Sequence, residues 1–224
     1  MEAPAPLSFD ASFESGNLAE ARLVSETPLE YDLHIRPDTL NTRHRVWFYF
    51  AVRGATRGQK VIINVIGYSK TKSLYRDGMA PVVSTSARPH WERIPEGSAY
   101  YYRSPRHGRH YVLSFPFCFE RKASESEVYY FAYCFPYTYS YLQRFLHGID
   151  AAQLPCYRRE CLGRTVQNRR LDLITISSPA NLALDEAAQR QRAPRAPLPA
   201  EQRRNLVFVT SRVHPGETPA SFLM

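Results

Sequence analysis

The sequence lacks the segments that direct a chain into or across a membrane. Its start, MEAPAPLSFD, has no basic region followed by an apolar stretch, and no window approaches about eighteen consecutive apolar residues. These absences predict a soluble, non-secreted protein in a reducing compartment.

Cysteine is scarce, with four residues and no CxxC spacing. A disulfide framework or a thiolate zinc cluster is therefore disfavoured. Two of the four lie inside the apolar runs FPFCF and FAYCF. The sequence predicts buried free thiols at Cys118, Cys134, Cys156 and Cys161.

Motifs of two common enzyme classes are also missing. GATRGQK has the wrong spacing for a phosphate-binding Walker A loop, and no G-x-S-x-G segment occurs. Neither a P-loop nucleotidase nor a serine hydrolase of that type has support, and the chain contains no internal repeat.

Aromatic residues and positive charge are abundant. The 224 residues are 44% hydrophobic, and most of the fifteen Tyr and twelve Phe fall between residues 31 and 145, which favours a β-rich first part. The net charge of +8 makes an acidic partner plausible, such as nucleic acid, an anionic membrane surface or a glutamate-rich protein. The net charge alone does not distinguish among these three kinds of partner.

Short strand patterns fill the first 135 residues. YDLHIR and RVWFYFAV alternate apolar and polar positions, whereas VIINVI is more continuously apolar. RHYVLSFPFCF and EVYYFAYCF follow, separated by a charged loop. Several strands joined by Gly, Pro, Asn and Asp turns predict an antiparallel β-sandwich over residues 1–135.

The pattern changes over residues 136–224. TYSYLQRFLHG has helical spacing and a stop signal at Gly148, and LDLITIS and NLVFVTSRV are typical of core strands. The connecting residues, about 180–204, are rich in Ala, Arg, Pro and Gln, which predicts a flexible surface insertion.

The segment TSRVHPGETPAS contains a histidine and a glutamate three positions apart, His214 and Glu217. Pro215 and Gly216 force a reversal between them, so both side chains can converge on one ion, and imidazole and carboxylate are ordinary zinc ligands. The alternative is a turn whose glutamate merely caps the following helix. The residues themselves leave both readings open.

Two other segments are weaker candidates. HGRH places His107 and His110 at a ligand-compatible spacing, but a solvated basic hairpin is favoured there. SAYYYRSPRHGRH mixes aromatics with arginines, as nucleic-acid-binding surfaces do, although a strand followed by a basic turn is favoured.

Five segments, taken in order, closely resemble the cytosolic carboxypeptidases, zinc enzymes that remove glutamates from protein tails such as those of tubulin. The resemblance covers nearly the whole chain from about Tyr31, and its segments are RVWFYF, SKTKSLYRDGMAPVVSTSARPHW, YYYR, FAYCFPYTYSYLQ and SRVHPGETPASF. It implies an amino-terminal β-sandwich, then the truncated start of an α/β zinc-carboxypeptidase domain from about Pro136.

The resemblance also implies roles for the HPGE turn. His214 and Glu217 match the first two zinc ligands of the family's H-x-x-E motif, and the bound zinc would activate the scissile carbonyl and water while a separate glutamate takes a proton. The family's third histidine ligand and its general base are expected beyond Met224. We therefore expect the 224-residue chain to be inactive alone, because two ligands do not complete a catalytic zinc site.

The resemblance implies a cytosolic protein, with microtubule association as a further implication. Its expected partners are tubulin or other glutamate-rich tails, with nucleic acid less favoured and no membrane. The alternative from a different class is a non-catalytic, basic β-sandwich module that binds acidic tails or nucleic acid.

Overall fold

The computed structural model of the protein describes residues 6–95, 97–119, 126–191 and 205–224. The chain divides into two compact units, one formed by Met1–Thr138 with Thr210–Met224 and the other by Tyr139–Val209. The predicted domains, 1–135 and 136–224, remain a prediction, and the structure adds that the HPGE turn belongs to the first unit. No helix in the described ranges is long and apolar enough to cross a membrane.

The described residues of the first unit form two five-stranded sheets. The first has the order β1-β4-β10-β6-β7 and the second the order β2-β3-β5-β9-β8. Their strands are β1 (Ser8–Asp10), β2 (Glu20–Glu26), β3 (Leu29–His34), β4 (Tyr49–Arg53), β5 (Lys60–Tyr68), β6 (Val82–Thr85), β7 (Glu92–Arg93), β8 (Tyr100–Arg103), β9 (Tyr111–Cys118) and β10 (Tyr129–Ala132). The two mostly antiparallel sheets fit the predicted β-sandwich.

One pairing departs from the antiparallel prediction. β3 and β5 run parallel, with Tyr31 opposite Ile63 and Leu33 opposite Val65. The chain leaves β3, forms β4 in the other sheet and returns, so β5 re-enters the second sheet in the direction of β3. A local alternation of apolar residues carries no information about that crossover.

The core lies between the two sheets and is strongly aromatic. Phe50 and Phe131 come from the first sheet, Ile63 and Phe115 from the second, and all four are fully buried. The rings of Phe50 and Phe131 stack on neighbouring strands with centroids 5.6 Å apart. Burial of each such side chain contributes roughly 1.5–3 kcal/mol, so this core contributes substantially to the unit's stability.

The second unit contains two helices and one hairpin among its described residues. These are α1 (Tyr139–Ala151), β11 (Tyr157–Arg164), β12 (Arg170–Ile176) and α2 (Pro179–Gln191), with β11 and β12 antiparallel. Arg159 on β11 donates to Asp172 on β12 at 3.1 Å and to Asp150 of α1 at 2.8 Å, which links the helix to the hairpin. Assignment of this unit to the start of an α/β catalytic domain remains a prediction.

Two local expectations for the second unit differ from the structure. The first helix continues past Gly148 to Ala151 instead of stopping there. Residues 179–191, largely assigned to the insertion, form α2, because NLALDEAAQ is composed mainly of helix formers and Ser178 accepts a hydrogen bond from the Asn181 N–H at 3.3 Å. Residues 192–204 of the predicted insertion lie outside the described residues.

The predicted core strand NLVFVTSRV is not a strand. Residues 205–213 make no ladder with the described residues, and Leu206 and Val207 are 89% and 83% exposed. A strand exists only through hydrogen bonds to a neighbour, so apolar content alone does not create one. After the HPGE turn, the chain forms the short helix α3 (Thr218–Leu223).

The cysteine prediction is correct for oxidation state and wrong for burial. All four thiols are free, but among them only Cys134 is buried, while Cys118, Cys156 and Cys161 are exposed. Cys118 ends β9 on its solvent side, whereas Cys134 follows β10 and packs against Trp47 and Val82. Apolar neighbours in sequence did not determine which face each thiol occupies.

Candidate metal centre

The candidate site is a tight turn held against the β-sandwich. The N–H of Glu217 donates to the carbonyl of His214 at 3.1 Å, which closes the four-residue turn HPGE. Proline suits the second position of such a turn because its φ is already fixed near the required value. The turn thus brings the first and last side chains to one side of the reversal.

The two predicted ligands meet in the structure. Nδ1 of His214 lies 2.7 Å from Oε1 of Glu217, and the two side chains are 53% and 52% exposed. The hydrogen bond to His214, with a smaller contribution from Lys70, lowers the pKa of the Glu217 carboxyl. An ionised carboxylate beside an imidazole nitrogen is the form of this pair that binds a metal.

A half-buried arginine anchors the turn. Arg212 donates through Nε to the Pro215 carbonyl at 3.2 Å and through Nη1 to the Tyr137 carbonyl. Burial lowers the pKa of the guanidinium, which is satisfied here by carbonyl dipoles. The backbone of Arg212 has φ of 51°, in the left-handed region that costs energy for a non-glycine residue.

The turn also contacts the segment that leads into β4. The rings of His44 and His214 stack with centroids 6.0 Å apart and planes inclined by 21°. Gly216 faces Val46, and a Cβ placed on Gly216 would lie 3.4 Å from Cγ1 of Val46. At that distance a Cβ at position 216 would make an ordinary van der Waals contact with Val46, so the segment before β4 lies directly beside the turn.

The donor set fits a zinc ion but does not complete its coordination. One imidazole nitrogen and one carboxylate oxygen converge at an accessible surface, and both are ordinary zinc donors. Within the described ranges, no group of three or more His, Cys, Asp or Glu side chains is arranged to hold a metal.

The other histidine candidate is occupied by protein contacts. His107 lies in a short 3-10 turn, Pro105–His107, where its Nδ1 is 2.8 Å from Ser104 Oγ and its Nε2 is 2.7 Å from Asp32. Because Ser104 is only 3% exposed, its hydroxyl is closed to a substrate. The expected hairpin is present, since β8 and β9 pair antiparallel across this loop, and His110 is exposed as predicted. Only the expected solvation of His107 is wrong, because its ring nitrogens face Ser104 and Asp32.

Comparison with solved structures identifies the class of fold. A metallo-carboxypeptidase from Burkholderia cenocepacia superposes with a TM-score of 0.59 over 78% of this chain and 40% of the other, at 22% identity. The protein therefore shares its fold with a metallo-carboxypeptidase.

Sequence comparison narrows the class to a family. Residues 9–133 match the model of the cytosolic carboxypeptidase N-terminal domain, and the chain belongs to the cytosolic carboxypeptidase family. It is 51% identical to human cytosolic carboxypeptidase 6 and 49% identical to the mouse protein, over 97% of its own length in each case. The chain spans 39% and 36% of the length of these two relatives.

Sequence reasoning missed the residues that support the turn. His44, Val46 and Tyr137 lie far from the HPGE turn along the chain, so no local spacing relates them to it. Arg212 lies only two residues before His214, but nothing in the neighbouring sequence indicates that its side chain folds back onto the turn.

Proposed function

We propose that this chain provides the amino-terminal domain and two metal ligands of a zinc-dependent carboxypeptidase that removes glutamates from acidic protein tails such as those of tubulin. The observation that supports the proposal most strongly is the convergence of His214 and Glu217 at 2.7 Å on a turn of a family member. Bound zinc would supply Lewis-acid activation of the carbonyl and of water.

In this proposal, each residue of the turn has a defined task. His214 and Glu217 hold the ion, Pro215 and Gly216 set the reversal, and Arg212 fixes the turn to the carbonyl of Tyr137. The third histidine ligand and the general base come from outside the described residues, and the 224-residue chain alone does not hydrolyse peptides. The net charge of +8 supports an acidic substrate in the cytosol.

The experiment starts from the native protein. An antibody raised against residues 9–133 is used to isolate it from cells, and the isolate is assayed for glutamate release from a glutamate-rich peptide with and without a chelator. Chelator-sensitive release is expected from the native isolate and from tagged full-length protein, but not from its His214→Ala variant. A native isolate without release would refute the activity, and release by the purified 224-residue chain would refute its inactivity.

A binding module is the second candidate function. Tyr100 and Tyr102 on β8 are 60% and 41% exposed, and the exposed residues Arg103 and Arg109 follow in the same β8–β9 hairpin. Exposed aromatics with arginines suit acidic tails or single-stranded nucleic acid. Binding that falls steeply with salt and ignores both zinc and His214→Ala would favour this module over the enzyme.

A further inference from the structure

The ligand His214 does not stand alone on its turn, because a second histidine from the sandwich lies against it. The two rings are nearly parallel, 6.0 Å between centroids, and the turn itself is half exposed. On an exposed turn, an imidazole that lacks a packing partner is free to sample several rotamers. A stacked ring restricts His214 to the orientation in which Nδ1 faces Glu217.

The segment that carries His44 is itself fixed at both ends. The loop before it is closed by hydrogen bonds from Asp38 N–H to the His44 carbonyl at 2.8 Å and from His44 N–H to the Asn41 carbonyl at 3.1 Å. After it, Arg45 N–H donates to Ser69 Oγ at 3.0 Å. The backbone at residue 44 is therefore held between a closed loop and the end of β5.

The His44 side chain is also oriented. Its Nε2 lies 3.8 Å from a carboxylate oxygen of Asp38, and its side chain is only 21% exposed. Two residues later, the Val46 side chain lies next to Gly216 of the same turn, where an added Cβ would be 3.4 Å from its Cγ1. One short segment thus lies beside the HPGE turn at two points.

We propose that His44 is a positioning residue of the metal site, which stacks on His214 and holds its imidazole ready for the ion. This inference rests on the proposed zinc site at His214 and Glu217. It assigns to the amino-terminal sandwich a direct part in organising the ligands, in addition to any part in folding or substrate binding.

The test compares two substitutions at one position in the 224-residue chain. His44→Leu removes the stacked aromatic ring, whereas His44→Phe keeps a ring of similar shape. The control is His90→Leu, the same substitution at a more exposed histidine, whose Nε2 lies 2.7 Å from the carboxylate of Glu92 in a pair that the proposal leaves without a function. Zinc affinity is measured by competition with a chromophoric chelator, and the His214 ring resonances are followed by NMR.

Loss of the stack should weaken zinc binding by about two- to tenfold, the range expected for one aromatic pair. His44→Phe should recover most of the loss and His90→Leu should have no effect. The NMR spectra should show the His214 ring resonances shifting in His44→Leu before any zinc is added. If His44 had only a structural role, His44→Leu would lower the urea midpoint, and zinc affinity would show no specific loss that His44→Phe restores.

Failure of the inference and failure of the proposed function give different results. If zinc shifts the His214 resonances in the wild-type chain but His44→Leu binds as tightly as His90→Leu, the positioning role is refuted and the metal site stands. If zinc leaves His214 unaffected both in the 224-residue chain and in the tagged full-length protein that carries the third ligand, the metal site itself is refuted, and the positioning role with it.

Discussion

Two histidine–carboxylate pairs of the first unit have the same separation and opposite surroundings. His107 and Asp32 lie 2.7 Å apart with side chains 10% and 14% exposed, whereas His214 and Glu217 lie 2.7 Å apart at 53% and 52%. Distance alone therefore does not distinguish a structural pair from a candidate ligand pair. The residues that surround each pair make this distinction.

The buried pair has its hydrogen-bonding capacity filled by protein. Both ring nitrogens of His107 have partners, and Asp32 also accepts from Asn64 at 2.9 Å and from Arg106 at 3.3 Å. The exposed pair has one hydrogen bond between its members, and both side chains remain about half exposed, with the His214 ring stacked on His44. A saturated network stabilises a fold, while an open pair can take an ion.

The largest expected change in the free energy of unfolding comes from a substitution in the pair of His107 and Asp32. Asp32→Ala removes the carboxylate that faces His107 and one of the two acceptors of Arg106 and Asn64, which keep Glu30, so we expect a loss of about 2–3 kcal/mol in the free energy of unfolding. Urea denaturation followed by tyrosine fluorescence measures it. Asp32→Asn, which keeps the shape and one acceptor oxygen, should lose less, and an Asp32→Ala protein as stable as wild type would show that the network is not structural.

The second prediction concerns Arg212, the half-buried residue that anchors the turn of the exposed pair. Arg212→Ala removes two hydrogen bonds to carbonyls and should cost about 1–2 kcal/mol. Arg212→Gly loses the same bonds but relieves the left-handed backbone, so it should be the more stable of the two by about 0.5–1 kcal/mol. Equal urea midpoints for alanine and glycine would mean that the positive φ stores no strain.

The contrast between the pairs shows how far the sequence determines the site. The HPGE spacing was enough to predict that His214 and Glu217 converge, because the turn is local. The alternation in YDLHIR likewise predicted the buried positions of β3, which the structure confirms at Tyr31, Leu33 and Ile35. Both inferences use only chain-neighbour geometry.

What the sequence did not determine depends on contacts between distant segments. The network around Asp32 joins β3, β5 and the 3-10 turn at Pro105–His107, and no spacing rule relates them. The same reason explains the parallel β3–β5 pair and the absence of a strand over residues 205–213. Each is decided by which neighbour the fold supplies, not by the composition of the segment.

A smaller effect is expected in the pH dependence of stability. The hydrogen bond from Arg106 is the largest cause of the lowered pKa of Glu30, which belongs to the Asp32 network. A carboxyl whose pKa in the folded state lies below its ordinary value of 4.5 binds protons more readily in the unfolded state. Its contribution to the stability of the fold is therefore fully present above pH 4.5 and is lost as the pH falls through the folded-state pKa.

Glu30→Gln should therefore flatten the decline in unfolding free energy below about pH 4.5, besides costing about 1 kcal/mol at neutral pH. Urea denaturation at a series of pH values between neutrality and pH 3 measures both changes. A variant that declines with acid as steeply as wild type would show that Glu30 does not contribute to acid sensitivity.

The smallest change in stability and the greatest change in metal binding are both expected from substitution of Glu217. The pKa of Glu217 is lowered as well, chiefly by its hydrogen bond to His214, but the carboxylate is half exposed and its pairing is screened by water. Glu217→Gln should thus unfold at the wild-type urea midpoint at neutral pH while losing zinc binding in the chelator competition. Glu92→Gln, in the other exposed pair, should change neither quantity. A ligand pair kept open for an ion contributes little to the stability of the fold before the ion binds. A clearly destabilised Glu217→Gln protein would therefore show that His214 and Glu217 form a structural pair, as Asp32 and His107 do.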